Sequence, residues 1–244
     1  MRNTFIIARR ELAAYFSSPL AYVFIVIFLA LAGALGFYLG AFFERGQADL
    51  GSFFLFHPWL FMILVPAIGM RLWAEERRSG TIELLMTLPI TPIEAVLGKF
   101  VAAWAFTTIA LALTFPMWLT VNYLGAPDNG IIAASYIGSW LMAGAFLALS
   151  SCLSALTKNQ VIAFIVGAAV SFLFLMSGLD LVLDAFRGWA PAYVVDLVGS
   201  LSFLTHFAAI AKGVISLPTV VFLVSFMLLC LFINTQVIEI EKAA

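Results

Sequence analysis

Charge is scarce in this sequence: Asp, Glu, Lys and Arg make up 10% of 244 residues, and 12 cations against 13 carboxylates leave a net charge of −1. A nucleic-acid-binding face needs clustered Lys and Arg, and no such patch is visible. Cysteine is nearly absent. Cys152 and Cys230 both fall inside apolar runs, so neither a disulfide framework nor a zinc site has support, and both read as small packing residues. His57 and His206 have no partners at metal-ligand spacing. The phosphate-cradling pattern G-x-x-x-x-G-K followed by Ser or Thr is missing too, because Gly98-Lys99 lacks both the earlier glycine and the hydroxyl residue. Nor is there a Gly-x-Ser-x-Gly elbow or a His-Glu-x-x-His helix. An intramembrane enzyme would have to rest on Asp180 and Asp184, spaced i, i+4, whose ordinary reading is a wet helix end. The methionines beyond the initiator are scattered through the apolar runs and read as gap-filling.

What the sequence has is apolar residues: 64% of the chain, with a mean hydropathy of +1.11. A soluble fold of this size could not hide that surface, whereas spanning helices are solvated by lipid and satisfy their backbone internally. The expectation is an all-α membrane protein. Six apolar stretches are long enough to cross a bilayer, near 20–42, 53–72, 98–124, 132–156, 160–183 and 217–237. An even number puts both termini on one side. Arg2, Arg9, Arg10, Arg71, Arg77, Arg78, Lys99, Lys158 and Lys242 then share a face, against Arg45, Arg187 and Lys212, and the positive-inside rule makes the richer face cytoplasmic.

Ahead of the first stretch, Thr4 to Ser17 reads as an interfacial helix rather than a signal peptide. Phe5, Ile6, Leu12, Tyr15 and Phe16 would sink into the boundary while Arg2, Arg9, Arg10 and Glu11 stay wet. On the other side, 184–216 carries Trp189, Tyr193 and Leu197 with Pro191 and Gly199 as punctuation, and is expected to form a short interfacial or re-entrant helical element between spans 5 and 6. Small residues recur every four positions at Gly36 and Gly40, at Gly144, Ala148 and Cys152, and at Ala163, Gly167 and Ser171. They permit close helix approach, either within one subunit or at a dimer seam. Asn122, Asn159, Gln160, Asn234 and Gln236 lie near span ends, where caps and interfacial contacts account for them. Without repeats or a soluble linker, residues 1–244 read as one transmembrane domain.

The segment from Arg71 to Lys99 is the most specific part of the chain. It predicts a charged helix end through Arg78, a break at Gly80, and a short helix with Ile82, Leu85 and Met86 on one face, stopped by Pro89. Thr91 follows as an N-cap, with Pro92 at the first helical position and Glu94 at capping-box spacing. A compact, charged helix-turn-helix held between two spans suits force transmission from a soluble partner.

The run Glu75-Glu76-Arg77-x-x-Gly80-Thr81-x-Glu83-Leu84-Leu85-x-x-x-Pro89-Ile90-Thr91 resembles the loop after the second span of ABC-2 type permeases, particularly the gliding-motility and nitrous-oxide-reductase-maturation groups. The six-span layout, the N-terminal interfacial helix and the outer element before the last span resemble that family as well. The resemblance implies that the segment between spans 2 and 3 is a coupling helix seated on a separate ABC ATPase subunit. Glu75, Glu76, Arg77, Gly80, Thr81, Glu83 and Leu84 would then be its contacts, Thr91 and Glu94 its helix cap, and Arg9, Arg10 and Glu11 the polar side of the interfacial helix. It also implies a permease without its own catalytic residues, cofactor or metal, with ATP and Mg on the partner subunit. A second permease copy, forming a homodimer, and a periplasmic accessory protein complete the expected partners in a bacterial inner membrane. Export, transmembrane force transmission and a non-transporting scaffold that remodels a partner complex all remain open.

Overall fold

The computed structural model describes residues 2–87 and 89–243, with the side chains of Leu84, Leu85, Met86 and residues 241–243 outside the description. In chain order the helices are α1 (Arg2–Ser17), α2 (Pro19–Ala34, continued as a π-helix over Leu35–Leu39), α3 (Gly51–Phe54), α4 (His57–Gly69) and α5 (Arg71–Ser79). Then come α6 (Thr81–Thr87), α7 (Pro92–Ala112), α8 (Phe115–Leu124), α9 (Asn129–Ala155) and α10 (Gln160–Met176). Three short helices, α11 (Asp180–Arg187), α12 (Ala192–Ser200) and α13 (Phe203–Ile210), precede α14 (Leu217–Ala243). No strand occurs among the described residues.

Five helical stretches are long and apolar enough to cross a membrane: Pro19–Leu39, Gly51–Ser79, Pro92–Leu124, Asn129–Ala155 and Leu217–Ile240. Two bent pairs raise the number to seven if each is one span: α10 with α11 at 77°, and α12 with α13 at 62°. The chain is thus an all-α, multi-pass membrane protein. The stretch expected to run straight through 160–183 instead stops at Met176, and Asp180 and Asp184 fall on the separate helix α11. Just past the stop, Gly178 packs so closely on α13 that a Cβ there would collide with Ser202 and Thr205. The charged helix end expected after the second span is present, because α5 continues that span as helix through Ser79 and breaks at Gly80.

Local chemistry sets most boundaries. The Ser18 hydroxyl accepts from the Leu20 N–H at the start of α2, Asp128 caps α9 and Asn159 caps α10. Pro116 lacks an N–H, and its ring would crowd the carbonyl of Ala112, so α7 yields to α8 across Leu113 and Thr114.

Helix α9 is the central post. Rich in Ala, Gly and Ser, it lets its neighbours approach closely. Gly144 lies against Met227 and Trp104, and Gly138 against Ile210, while Gly167 of α10 faces Pro66 and Ser150. Gly36 and Gly40 in turn abut Phe53 and Ser52. These small-residue seams are therefore used inside one chain. Buried Cys152 and Cys230 are unpaired packing residues. Two ends of the bundle result. Ser154 meets Met70 at one of them, and Asp49, Pro127, Asp128 and Ala211 line a common cleft at the other.

Candidate functional site

The α5–α6 elbow turns at Gly80, whose φ of 73° is left-handed and favours glycine. Around it, the Ser79 hydroxyl lies 2.9 Å from both the Glu75 carbonyl and the Thr81 hydroxyl. The turn is thus closed by its own short side chains.

Behind the elbow, α5 is bolted to α9. Trp73 and Ala74 are fully buried, and their N–H groups, orphaned at the start of α5, both donate to Ser154 Oγ at 3.2 and 3.0 Å. The same hydroxyl donates to the Met70 carbonyl at 2.8 Å, so one serine bridges the α4–α5 joint. Arg77 donates from Nη1 to the Ala155 carbonyl.

Lys99 sits at the centre of the arrangement. Only 3% exposed, its ammonium lies 2.7 Å from Glu76 Oε1, 3.4 Å from Glu11 Oε1 and 5.4 Å from the centroid of the Trp73 ring. One side chain therefore joins α1, α5 and α7. A lysine can be held this deep only because two carboxylates and an aromatic face replace its water. Burial pushes the Glu11 carboxyl up, but Lys99 and Arg10 outweigh it and hold the group below its ordinary value. The other oxygen of Glu76, Oε2, is buried without a hydrogen-bond partner among the described residues.

Helix α1 is tied to this cluster rather than lying free. Gly98 is the contact that admits it: a Cβ there would stand 2.7 Å from Ile7 Cγ2 and 3.1 Å from the Thr4 carbonyl. Tyr15 stacks on Phe106 at 5.2 Å and Phe16 meets the same ring edge-on at 5.7 Å. Burial raises the Tyr15 phenol. The expected amphipathic faces are accordingly redrawn. Leu12, Tyr15 and Phe16 pack on the protein core, Glu11 turns inward to Lys99, and Phe5 and Ile6 remain exposed at 71% and 56%. Packing against α7 wins because the aromatic ladder and the buried ammonium lie on one side of α1.

The other expected site residues separate into inward and outward groups. Glu76 and Arg77 face the bundle, whereas Glu75, Thr81 and Glu83 are exposed, Glu75 pairing with Arg71 at 3.1 Å. The Leu84 side chain lies outside the described residues. Thr91 and Glu94 form a complete capping box, and Asn3 of α1 donates to the same Glu94 oxygen at 3.2 Å. Arg9 and Arg10 are exposed, Arg10 pairing with Glu11 at 2.9 Å.

Away from the elbow, polar residues are engaged locally. His57 is fully buried among Phe28, Phe53, Phe54 and Phe61, with Nδ1 3.0 Å from the Ser139 hydroxyl. His206 lies 3.1 Å from the Thr219 hydroxyl and 2.9 Å from the Ser200 carbonyl. Asn234 donates to Ser151 Oγ at 2.8 Å, and Asp184 pairs with Arg187 on exposed α11. Among the described residues, no group of three or more His, Cys, Asp or Glu is placed to hold a metal ion.

Sequence reasoning passed over Lys99 as a hub, treating it as one more positive charge at a span end. The available signal was a lone ammonium at the start of the third turn of a helix with no other charge after Glu94, where an ionisable group requires a partner.

Compared with known proteins, residues 6–216 match the model of a family described as ABC-2 family transporter protein. No curated protein matches the chain.

Proposed function

Because the chain belongs to the ABC-2 transporter family, we propose that this transporter permease subunit couples to a separate ATPase through the α5–α6 elbow. The observation that carries the reading is the contrast within α5. Its inner face is fastened by Ser154, Arg77 and the Glu76–Lys99 pair, while Glu75 and, beyond Gly80, Thr81 and Glu83 face outward. A partner pressing on the outer face would move a rigid lever whose root also holds α1 and α7. Nucleotide-driven closure of the ATPases, which hold the ATP and Mg, would then shift the permease between inward and outward states.

In this reading Glu75, Gly80, Thr81, Glu83 and Leu84 meet the partner, and Glu76 and Arg77 keep the elbow seated. Two copies of the chain with two ATPases form the assembly in the bacterial inner membrane, with the elbow and both termini cytoplasmic. The energy serves export or transmembrane force transmission. Trp189 and Tyr193, 75% and 73% exposed at the opposite end, offer a face to an accessory protein. Vesicles carrying the purified complex separate these uses, because transport requires ATP-dependent movement of cargo and scaffolding does not.

The direct test is purification of tagged chain from native membranes in mild detergent, followed by mass spectrometry and an ATPase assay. The expected result is a co-purifying nucleotide-binding subunit with vanadate-sensitive turnover. Replacing exposed Glu83→Arg should abolish that association while leaving the permease folded. Unchanged association and turnover would remove the elbow from the coupling role.

A further inference from the structure

We propose that the cleft between α1, α2 and α5 is a binding site for one membrane phospholipid with a zwitterionic, primary-amine headgroup. The cleft has a volume of about 250 Å³ and two kinds of wall. Leu20, Ala21 and Phe24, from the first turns of a membrane-spanning stretch, form the apolar side with Phe106. Glu11, Arg71, Glu75 and Lys99 form the polar side. An amphiphile fits this division, with its headgroup among the charges and its chains along α2. Below the cleft, α2 keeps an exposed apolar strip for those chains, in which Leu20, Val23 and Ile27 are 54%, 55% and 43% exposed.

The charges select the headgroup. Arg10, Arg71 and Lys99 balance Glu11, Glu75 and Glu76, so the local cluster has no net field favouring an anionic lipid. What it offers is separated donors and acceptors. Arg71 spends Nε on Glu75 Oε2, and its terminal Nη groups make no hydrogen bond or ion pair among the described residues. They suit a phosphate. Glu75 stays paired with Arg71, while Glu11 Oε2 has no hydrogen-bond partner among the described residues and suits an ammonium with N–H groups to donate. Lys99 is already shared by Glu11 and Glu76, and acts as the floor that holds Glu11 at the rim.

This inference rests on the membrane spans and the cleft, not on the ATPase reading, and it is tested on the permease alone. Full-length chain in detergent micelles would be doped with palmitoyl-oleoyl phosphatidylethanolamine or with the matching phosphatidylglycerol, and thermal unfolding followed. The amine lipid should raise Tm by about 3 °C more than the glycerol lipid. Arg71→Gln should remove most of that difference. Ala14→Phe, at an exposed position lining the cleft, should remove it by filling space while every charge stays in place, and it decides the matter if the arginine variant fails to fold. An equal shift from the anionic lipid, or an amine-lipid advantage that survives the Ala14→Phe filling, would overturn the proposal.

Discussion

Both ends of the bundle carry short-range ion pairs, but only the elbow end adds a buried one between distant segments. At the elbow end, Lys99 is buried and reaches carboxylates on two other helices. At the opposite end, Arg45–Asp49 in a loop and Asp184–Arg187 on α11 join residues only four and three positions apart, with both partners well exposed. An exposed pair within one turn restates a local geometry that the chain adopts anyway, and water screens it. A buried pair between distant segments removes alternatives, because any arrangement that separates the partners strands a charge. The elbow end is therefore the part of the molecule whose tertiary arrangement depends on charge.

The sharpest break of this contrast is Lys99→Met. It leaves Glu76 without its ammonium and Glu11 with only exposed Arg10, and should cost about 3–5 kcal/mol of stability, read as a lowered Tm in detergent. Adding Glu76→Gln to that variant should return part of the loss, and a double-mutant cycle measures the coupling. Gly80→Ala should cost about 1 kcal/mol: open space surrounds the position, so the penalty is that of the left-handed backbone alone.

A smaller effect, and one that depends on pH, is expected from Glu11→Gln. The folded protein holds this carboxyl below its ordinary value of 4.5, so its contribution is fully present above that pH and is lost as pH falls through the lowered value. Wild type should therefore melt above the glutamine variant at pH 7, and the two curves should converge in acid. A gap that widens in acid would contradict the pairing. Least of all should Arg187→Ala matter, changing stability by about 0.5 kcal/mol or less in the same unfolding assay.

How much was legible in the sequence follows the range of each interaction. The Thr91–Glu94 capping box was readable because both partners lie within one turn. The left-handed stop at Gly80 and the helical segment after it were readable for the same reason. The need for glycine at 178, just past the end of α10, was not, since the residues that leave no room for a side chain, Ser202 and Thr205, come from a later turn of the chain. The orientation of α1 was misread for a related cause. Its amphipathic pattern distinguishes apolar from polar positions, but lipid and a protein core look alike to an apolar residue. Gly98 and Phe106, on a different helix, decide between them.

Apolar composition and run length were enough to establish a helical membrane protein, because the bilayer imposes internal hydrogen bonding on every spanning segment. The pattern from Glu75 to Thr91 was enough to suggest the family and to locate the elbow. Which charges point outward and which anchor the elbow was settled by folding: Glu75 and Glu76 are neighbours in sequence, yet one is exposed beside Arg71 and the other is held against Lys99. Adjacent residues on a helix point about 100° apart. Only the packing of α7 and α9 against α5 determines which of those directions is the interior.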